Sequence, residues 1–353
     1  MKRLLLAAVG LATLVPASLA ATGDSAAACA GLIGSNGAVN LGRTTTLAAY
    51  HDGTEHYVTS FEFLGGGGEF GTLIPLPAVP TNVEKGGAWT LQRLVLETSP
   101  RTFVAEDAVA APASGLARAE VLLETRIDAL DLTVLRGGGP SVAAWAQEHG
   151  FRLSPDAPEV LDFYAERSPI FLAAVFDGEA AAERGQQIGD GTPVHITMPT
   201  DNPWVPLRIL SLGKQPTDTV EADVFLLTDE RPAILPGERS GLSVTYDLPA
   251  TSLLLDDLRA DRGMDWVPGA AWLTRVSIDS DARDLRYDLA VDASGRGEPS
   301  PVAAGLAKSE TLPPVFDDDG SPLEPQAISA VALIALGLLV LGVRFLLPDR
   351  TRR

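Results

Sequence analysis

The segment RTTTLAAYHDGTEHYVTSFEFL, residues 43–64, carries the clearest signal for secondary structure in this chain. Two runs rich in β-branched and aromatic residues flank Asp52-Gly53, and an Asp-Gly dipeptide between such runs is a strong signal for a two-residue hairpin turn. With the turn at this dipeptide, the sequence predicts that His51 pairs with Thr54. A hairpin here favours an antiparallel sheet.

The predicted register has a consequence for two histidines. Ala49 pairs with His56, so the strand alternation puts His51 and His56 on one face as diagonal neighbours, with their backbones roughly 7 to 8 Å apart across the two strands. Imidazole and carboxylate groups at such a spacing suit a divalent cation, and the candidate ligands are His51, His56 and Asp52. Glu55 points to the opposite face. The alternative is a pair of half-exposed sheet histidines without a ligand, and no other cofactor is predicted.

The rest of the chain alternates between strand-like and short helical segments. Apolar spacing predicts helices in AWTLQRLVLET, SVAAWAQEHG, PDAPEVLDFYAERS and near Thr251 to Ala260. The segments between them read as strands, so the fold class is α+β: a strand-rich, mainly antiparallel ectodomain with a few short helices, plus one C-terminal transmembrane helix. The extracytoplasmic domain is predicted over residues 21–292, as one domain or as two lobes of about 30–178 and 190–292.

Both ends of the chain carry signals for the cell envelope. Residues 1–20 have the basic start, the apolar run and the small-residue cleavage site of a signal peptide. AISAVALIALGLLVLGVRFLL, Ala327 to Leu347, is long enough as a helix to cross a bilayer, and the arginines of the tail 348–353 favour the cytoplasmic side. The Pro-, Gly- and Asp-rich segment 293–326 is predicted to be a flexible linker. The predicted topology is therefore single-pass in the cell membrane, with the N-terminal domain outside.

Charge and cysteine content limit the classes of partner and of stabilisation. The net charge is −19 at pH 7, and the two end segments each carry a net positive charge, so the predicted exterior part is more acidic still. Because an acidic surface repels phosphate backbones, nucleic acid is excluded as a partner. Cys29 is the only cysteine, so an intramolecular disulfide is excluded, and lipid attachment at Cys29 remains an alternative.

Motifs for catalysis are weak. Ser211 and Lys214 have the S-x-x-K spacing of acylating serine enzymes, but Ser211 is predicted at the end of a strand, and the partner motifs of those enzymes are absent from the sequence. Two functions follow. The first is a non-enzymatic binding or envelope-interaction module for an unknown protein or surface partner, and the alternative is an envelope hydrolase or metal-dependent enzyme that uses His51 and His56.

Several segments resemble a family of uncharacterised bacterial envelope proteins, domain of unknown function 2330. The resemblance is carried by TTTLAAYHDGTEHYVTSFEF at 44–63, LIPLPAVPTNVEKGGAWTLQRL at 73–94, and further segments within 132–176 and 198–232. It implies one continuous exterior domain, a signal peptide and often a C-terminal span. It implies no catalytic residues.

Overall fold

The computed structural model describes residues 31–34, 37–38, 44–62, 70–99, 120–186, 191–201 and 203–308. The predicted signal peptide 1–20, Cys29, linker residues 309–326, the predicted span Ala327 to Leu347 and the tail 348–353 lie outside these ranges. Within the ranges, no helix combines the length and the apolar character needed to cross a membrane.

Short strands dominate the described chain. The strands are β1 (Gly31–Gly34), β2 (Gly37–Ala38), β3 (Thr44–His51), β4 (Thr54–Glu62), β5 (Phe70–Leu76), β6 (Asn82–Lys85), β7 (Glu120–Ile127), β8 (Leu130–Arg136), β9 (Ile170–Phe176), β10 (Gly191–Pro199), β11 (Trp204–Val205), β12 (Thr219–Thr228), β13 (Ala233–Leu235), β14 (Leu242–Pro249), β15 (Trp272–Asp281) and β16 (Leu289–Asp292). The α-helices are α1 (Thr90–Thr98), α2 (Gly139–Glu148), α3 (Ala157–Ala165), α4 (Gly178–Glu183) and α5 (Ser252–Ala260). The prediction of a strand-rich fold with short helices is confirmed.

The larger sheet is centred on the predicted hairpin. Its seven strands run in the order β14-β15-β12-β3-β4-β10-β6. His51 pairs with Thr54 and Ala49 with His56, as predicted, and β3 also pairs in parallel with β12. The sheet is therefore mixed, with one parallel pair among its described strands. It takes strands from both sides of the alternative lobe boundary at 178–190.

Two smaller sheets complete the strand arrangement. Six strands form an antiparallel sheet in the order β2-β1-β5-β9-β8-β7, and β11, β16 and β13 form a three-stranded sheet. Buried side chains of both larger sheets, such as Tyr57 and Leu172, share one core cluster. The described residues up to Lys308 belong to one compact unit.

Helices cover the outer faces of the two larger sheets. Leu47, Val58 and Phe225 of the seven-stranded sheet pack with apolar residues of α1 and α5. On the six-stranded sheet, Leu73 and Phe171 pack with apolar residues of α2 and α3. Because each helix has one apolar face, it is stable only against such a sheet surface. From one side to the other, the layers are α1 with α5, the seven-stranded sheet, the six-stranded sheet, and α2 with α3.

Residues 293–308 fold back onto this body, although their composition predicts a linker. Ala304 is fully buried, and its carbonyl oxygen accepts a hydrogen bond of 3.0 Å from the backbone N–H of Asp288. The carboxylate of Asp288 is fully buried and pairs with Arg167, whose guanidinium also donates to the carbonyl of Ala303. The folded part therefore extends past the predicted boundary at residue 292, as far as Lys308.

Candidate functional site

The outer face of the seven-stranded sheet carries a diagonal row of titratable side chains near the hairpin turn. We call it the histidine row; from one end to the other it consists of Asp229, His51, His56, His195 and Glu84. The alternation of β3 and β4 puts His51 and His56 on the same face as the buried residues Leu47, Ala49 and Val58. The row therefore lies at the edge of the layer formed by α1 and α5.

His51 lies at the exposed end of the row. Its Nδ1 is 2.5 Å from Oδ1 of Asp229, and its Nε2 is 3.3 Å from Oδ2 of Asp52. The His51 side chain is 42% exposed and that of Asp52 is 88% exposed. Asp229 follows β12, which pairs in parallel with β3, and this brings its carboxylate beside the histidine. Asp52 occupies the turn, with a positive φ of 48°.

His56 is hydrogen-bonded to a second histidine, His195 of β10. Nδ1 of His56 and Nε2 of His195 are 2.9 Å apart, and the ring centroids are 5.1 Å apart with an interplanar angle of 22°. With the two nitrogens 2.9 Å apart, the ring centroids can be little more than 5.1 Å apart. The two rings therefore point these nitrogens at each other and meet edge to edge. The arrangement is a nearly linear N–H···N hydrogen bond, in which one ring donates and the other accepts.

Glu84 decides which ring donates. Oε1 of Glu84 lies 3.3 Å from Nδ1 of His195, because β6 pairs with β10 and sets the two residues opposite each other. The contact is electrostatic, since Nδ1 of His195 has no well-aligned hydrogen-bond partner among the described residues. A carboxylate favours the proton on the facing nitrogen. His195 Nε2 is then the acceptor, His56 Nδ1 the donor, and His56 Nε2 keeps a free lone pair.

Trp266 covers both histidines of this pair. The centroid of its ring lies 4.0 Å from the centroid of the His56 ring, with an interplanar angle of 6°. The centroid of the His195 ring is 5.1 Å away, with an interplanar angle of 24°. Trp266 belongs to the segment between α5 and β15, and its indole Nε1 is buried without a hydrogen-bond partner in the described chain. The indole shields the imidazole–imidazole hydrogen bond from solvent on that side.

Burial keeps both paired histidines neutral at neutral pH. The pKa of His56 is lowered to about 4, mainly by burial and further by positive charge on His195 and His51. Burial also lowers the pKa of His195 to about 4, against an opposing effect of Asp265. A neutral imidazole is the form that accepts protons and binds metals. The row therefore presents a lone pair on His56 Nε2 throughout the physiological pH range.

The structure brings the three predicted ligands only partly together. His51 contacts Asp52, whereas His56 is bonded to His195. Within the described ranges, no three His, Cys, Asp or Glu side chains already stand together as a metal-binding group. The sequence interpretation missed His195, Glu84, Asp229 and Trp266. All four are distant in the sequence, and the only signal was the isolated histidine in the strand segment PVHITMP.

Glu55 and Ser211, which the sequence analysis also considered, lie away from the histidine row. Glu55 lies on the opposite face, as predicted, is 1% exposed, and has no hydrogen-bond partner for either carboxylate oxygen among the described residues. Burial raises its pKa to about 8. The prediction that Ser211 ends a strand is wrong: it ends a 3₁₀ helix, Arg208–Ser211, and its hydroxyl donates to the carbonyl of Arg208 at 2.7 Å.

Comparison with solved structures gives only distant likenesses. The crystal structure of baculovirus P35 has a TM-score of 0.36 and 9% identity, covering 70% of this chain and 96% of that one. A chain of the crystal structure of the caspase-8/P35 complex has a TM-score of 0.33 and 8% identity, covering 71% of this chain and 90% of that one. Likenesses this weak carry no argument about function.

Comparison with protein families gives a clear result. A comparison with curated proteins finds no match. The family described as an uncharacterized protein conserved in bacteria, domain of unknown function 2330, matches residues 23–289, which include the whole histidine row. The chain therefore belongs to this bacterial family of domain of unknown function 2330.

Proposed function

We propose that the chain is a single-pass protein of the bacterial cell membrane whose N-terminal domain lies outside. The proposal is supported by the signal-like residues 1–20, the apolar stretch Ala327 to Leu347 and the arginines of the tail 348–353. Residues 309–326 would join the folded unit to the membrane span.

This topology is tested by proteolysis of intact spheroplasts that express the full chain with a tag after residue 353. An exterior domain is digested while the tag remains protected inside. Digestion of the tag with protection of the folded domain would contradict the proposed orientation.

We further propose that the exterior domain is a non-enzymatic binding module and that the histidine row is its binding point. One observation carries this proposal: Nδ1 of His51 and Nδ1 of His56 are both held by hydrogen bonds, and the other ring nitrogen of the half-buried, neutral His56 has no hydrogen-bond partner among the described residues. A desolvated acceptor fixed in orientation by its neighbours is what a specific binding site requires.

The binding function is tested by site-specific photo-crosslinking of the full chain in its native membrane. The photo-reactive residue benzoylphenylalanine replaces Asp265, which is exposed and precedes Trp266. A matched control replaces Arg152, exposed after α2 on the opposite helical layer. We expect products at 265 that are absent at 152 and that disappear with His56→Ala. Identical products at both positions, or products unaffected by His56→Ala, would refute the histidine row as binding point.

A further inference from the structure

His51 and His56 share the same outer hydrogen-bonding pattern. Nδ1 of His51 donates to Asp229, and Nδ1 of His56 donates to His195, which in turn faces Glu84. Metal-binding histidines nearly always donate their second ring nitrogen in this way to a carboxylate or another acceptor, which fixes the tautomer and strengthens the bond to the metal. His56 therefore keeps Nε2 for a ligand, whereas His51 Nε2 faces Asp52 Oδ2 at 3.3 Å, so a metal ion between those two groups would take the place of a proton.

The two histidines are also close neighbours on one face of the hairpin. They occupy diagonal positions across the β3–β4 pair, since His51 pairs with Thr54 and His56 with Ala49. A carboxylate lies beside His51, since Asp52 Oδ2 is 3.3 Å from His51 Nε2.

We propose that Nε2 of His51, Nε2 of His56 and the carboxylate of Asp52 bind one divalent transition-metal ion, with Asp229 and His195 as outer positioning residues. This proposal rests on the proposed binding function and names its ligand. Two imidazoles and one carboxylate favour Zn²⁺ or Cu²⁺ and disfavour Ca²⁺, which prefers six or more oxygen ligands.

Metal binding requires side-chain movement at the exposed end of the row. In the described part of the chain, no three His, Cys, Asp or Glu side chains are already placed to bind one metal ion. In the proposed site the exposed Asp52 turns towards the two imidazoles, His51 adjusts while keeping its hydrogen bond to Asp229, and His56 stays fixed by His195 and the stacked Trp266. Because two protein nitrogens and one carboxylate leave a tetrahedral position open, a water molecule or a partner's side chain completes the coordination.

The first test reads the tautomers directly. The full chain, in detergent micelles and labelled with ¹⁵N-histidine, has only four histidines, so each ring is assigned from single replacements. We expect metal-free His56 to carry its proton on Nδ1, and Zn²⁺ to shift the Nε2 resonances of both His51 and His56. His56 protonated on Nε2 at pH 7.5, or Nε2 resonances that do not respond to Zn²⁺, would overturn the proposal.

The second test measures Zn²⁺ affinity by isothermal titration calorimetry of the same chelator-treated chain. We expect one ion per chain, and about 10- to 100-fold weaker binding with Asp229→Asn or His195→Gln, as found for outer hydrogen-bonding partners. His51→Ala, at an exposed position, should weaken binding by more. The control is His149→Ala, since this fourth histidine bonds to the Trp145 carbonyl at the end of α2. Equal affinity of His51→Ala and wild type, or no Zn²⁺ binding by a folded wild type, would refute the site.

The two proposals fail separately. If Zn²⁺ does not bind but position 265 still gives crosslinks that depend on His56, the binding function stands and the metal site is wrong. If Zn²⁺ binds with one ion per chain and position 265 gives no specific product, the metal site stands without the wider binding function.

Discussion

Replacing Glu55 by Gln should stabilise the folded domain, and increasingly so as the pH rises. The side chain is 1% exposed in the core between the sheets, with no hydrogen-bond partner for its oxygens among the described residues. An ionised carboxylate without a partner is unfavourable in such a place, which is why burial raises its pKa from 4.5 to about 8.

The size of the effect follows from proton linkage. Between pH 4.5 and about 8 the folded state holds a proton on Glu55 that the unfolded state has lost, so stability falls as the pH rises through this window. Each pKa unit corresponds to ~1.4 kcal/mol, so the full effect at high pH is about 5 kcal/mol. Between pH 6 and pH 9 the wild type should lose about 3 kcal/mol that Glu55→Gln does not lose.

The measurement is urea unfolding of a fragment of residues 21–308, followed by tryptophan fluorescence at pH 6, 7.5 and 9. The difference in unfolding free energy between Glu55→Gln and wild type is the quantity of interest, because any fixed effect of the buried amide cancels across pH. The control is Glu148→Gln, exposed at the end of α2, which should show no such trend. A difference for Glu55→Gln that stays constant from pH 6 to pH 9 would show that Glu55 is not held protonated in the folded core.

Three further predictions use the same fragment. His195 has a pKa lowered from 6.5 to about 4, so stability should fall as the pH drops through that window, and His195→Gln should reduce this acid sensitivity in urea unfolding at pH 7 and pH 5. Arg167→Met removes the only ion-pair partner shown for the fully buried Asp288, which keeps its neutral hydrogen-bond donors, and should lower stability by about 3–5 kcal/mol; an unchanged melting temperature would contradict this. Gly87→Ala would place its Cβ against Thr90 and disturb the start of α1, whereas Gly237→Ala meets nothing within 4 Å. Thermal unfolding should separate these two variants, and equal melting temperatures would show that the close contact relaxes freely.

Local sequence was sufficient for the hairpin and its two histidines. An Asp-Gly turn fixes the register, and strand alternation then fixes which side chains share a face, because both rules act over a few residues. His51 and His56 therefore lie on the expected face, and Glu55 lies on the other. Helix α5 was also predictable, since Thr251 caps it by accepting a hydrogen bond from the backbone N–H of Leu254.

The C-terminal boundary shows where composition misleads. Residues 293–308 are rich in Ser, Gly, Pro and Ala, which favours a flexible linker. Their attachment depends on backbone carbonyl groups of Ala303 and Ala304, and every residue type supplies such groups. The partners, Arg167 and Asp288, lie far away in the sequence, so no local pattern reveals the contact.

The hairpin, the face shared by His51 and His56, the short helices and the acidic character of the chain could all be predicted from the amino-acid sequence, because they depend on neighbouring residues or on composition. Only the tertiary structure placed Asp229, His195, Glu84 and Trp266 around the two histidines. These contacts arise from the pairing of β12, β10 and β6 in one sheet and from the packing of the segment after α5. Such pairings are set by burial of the whole apolar core, to which distant parts of the chain contribute together.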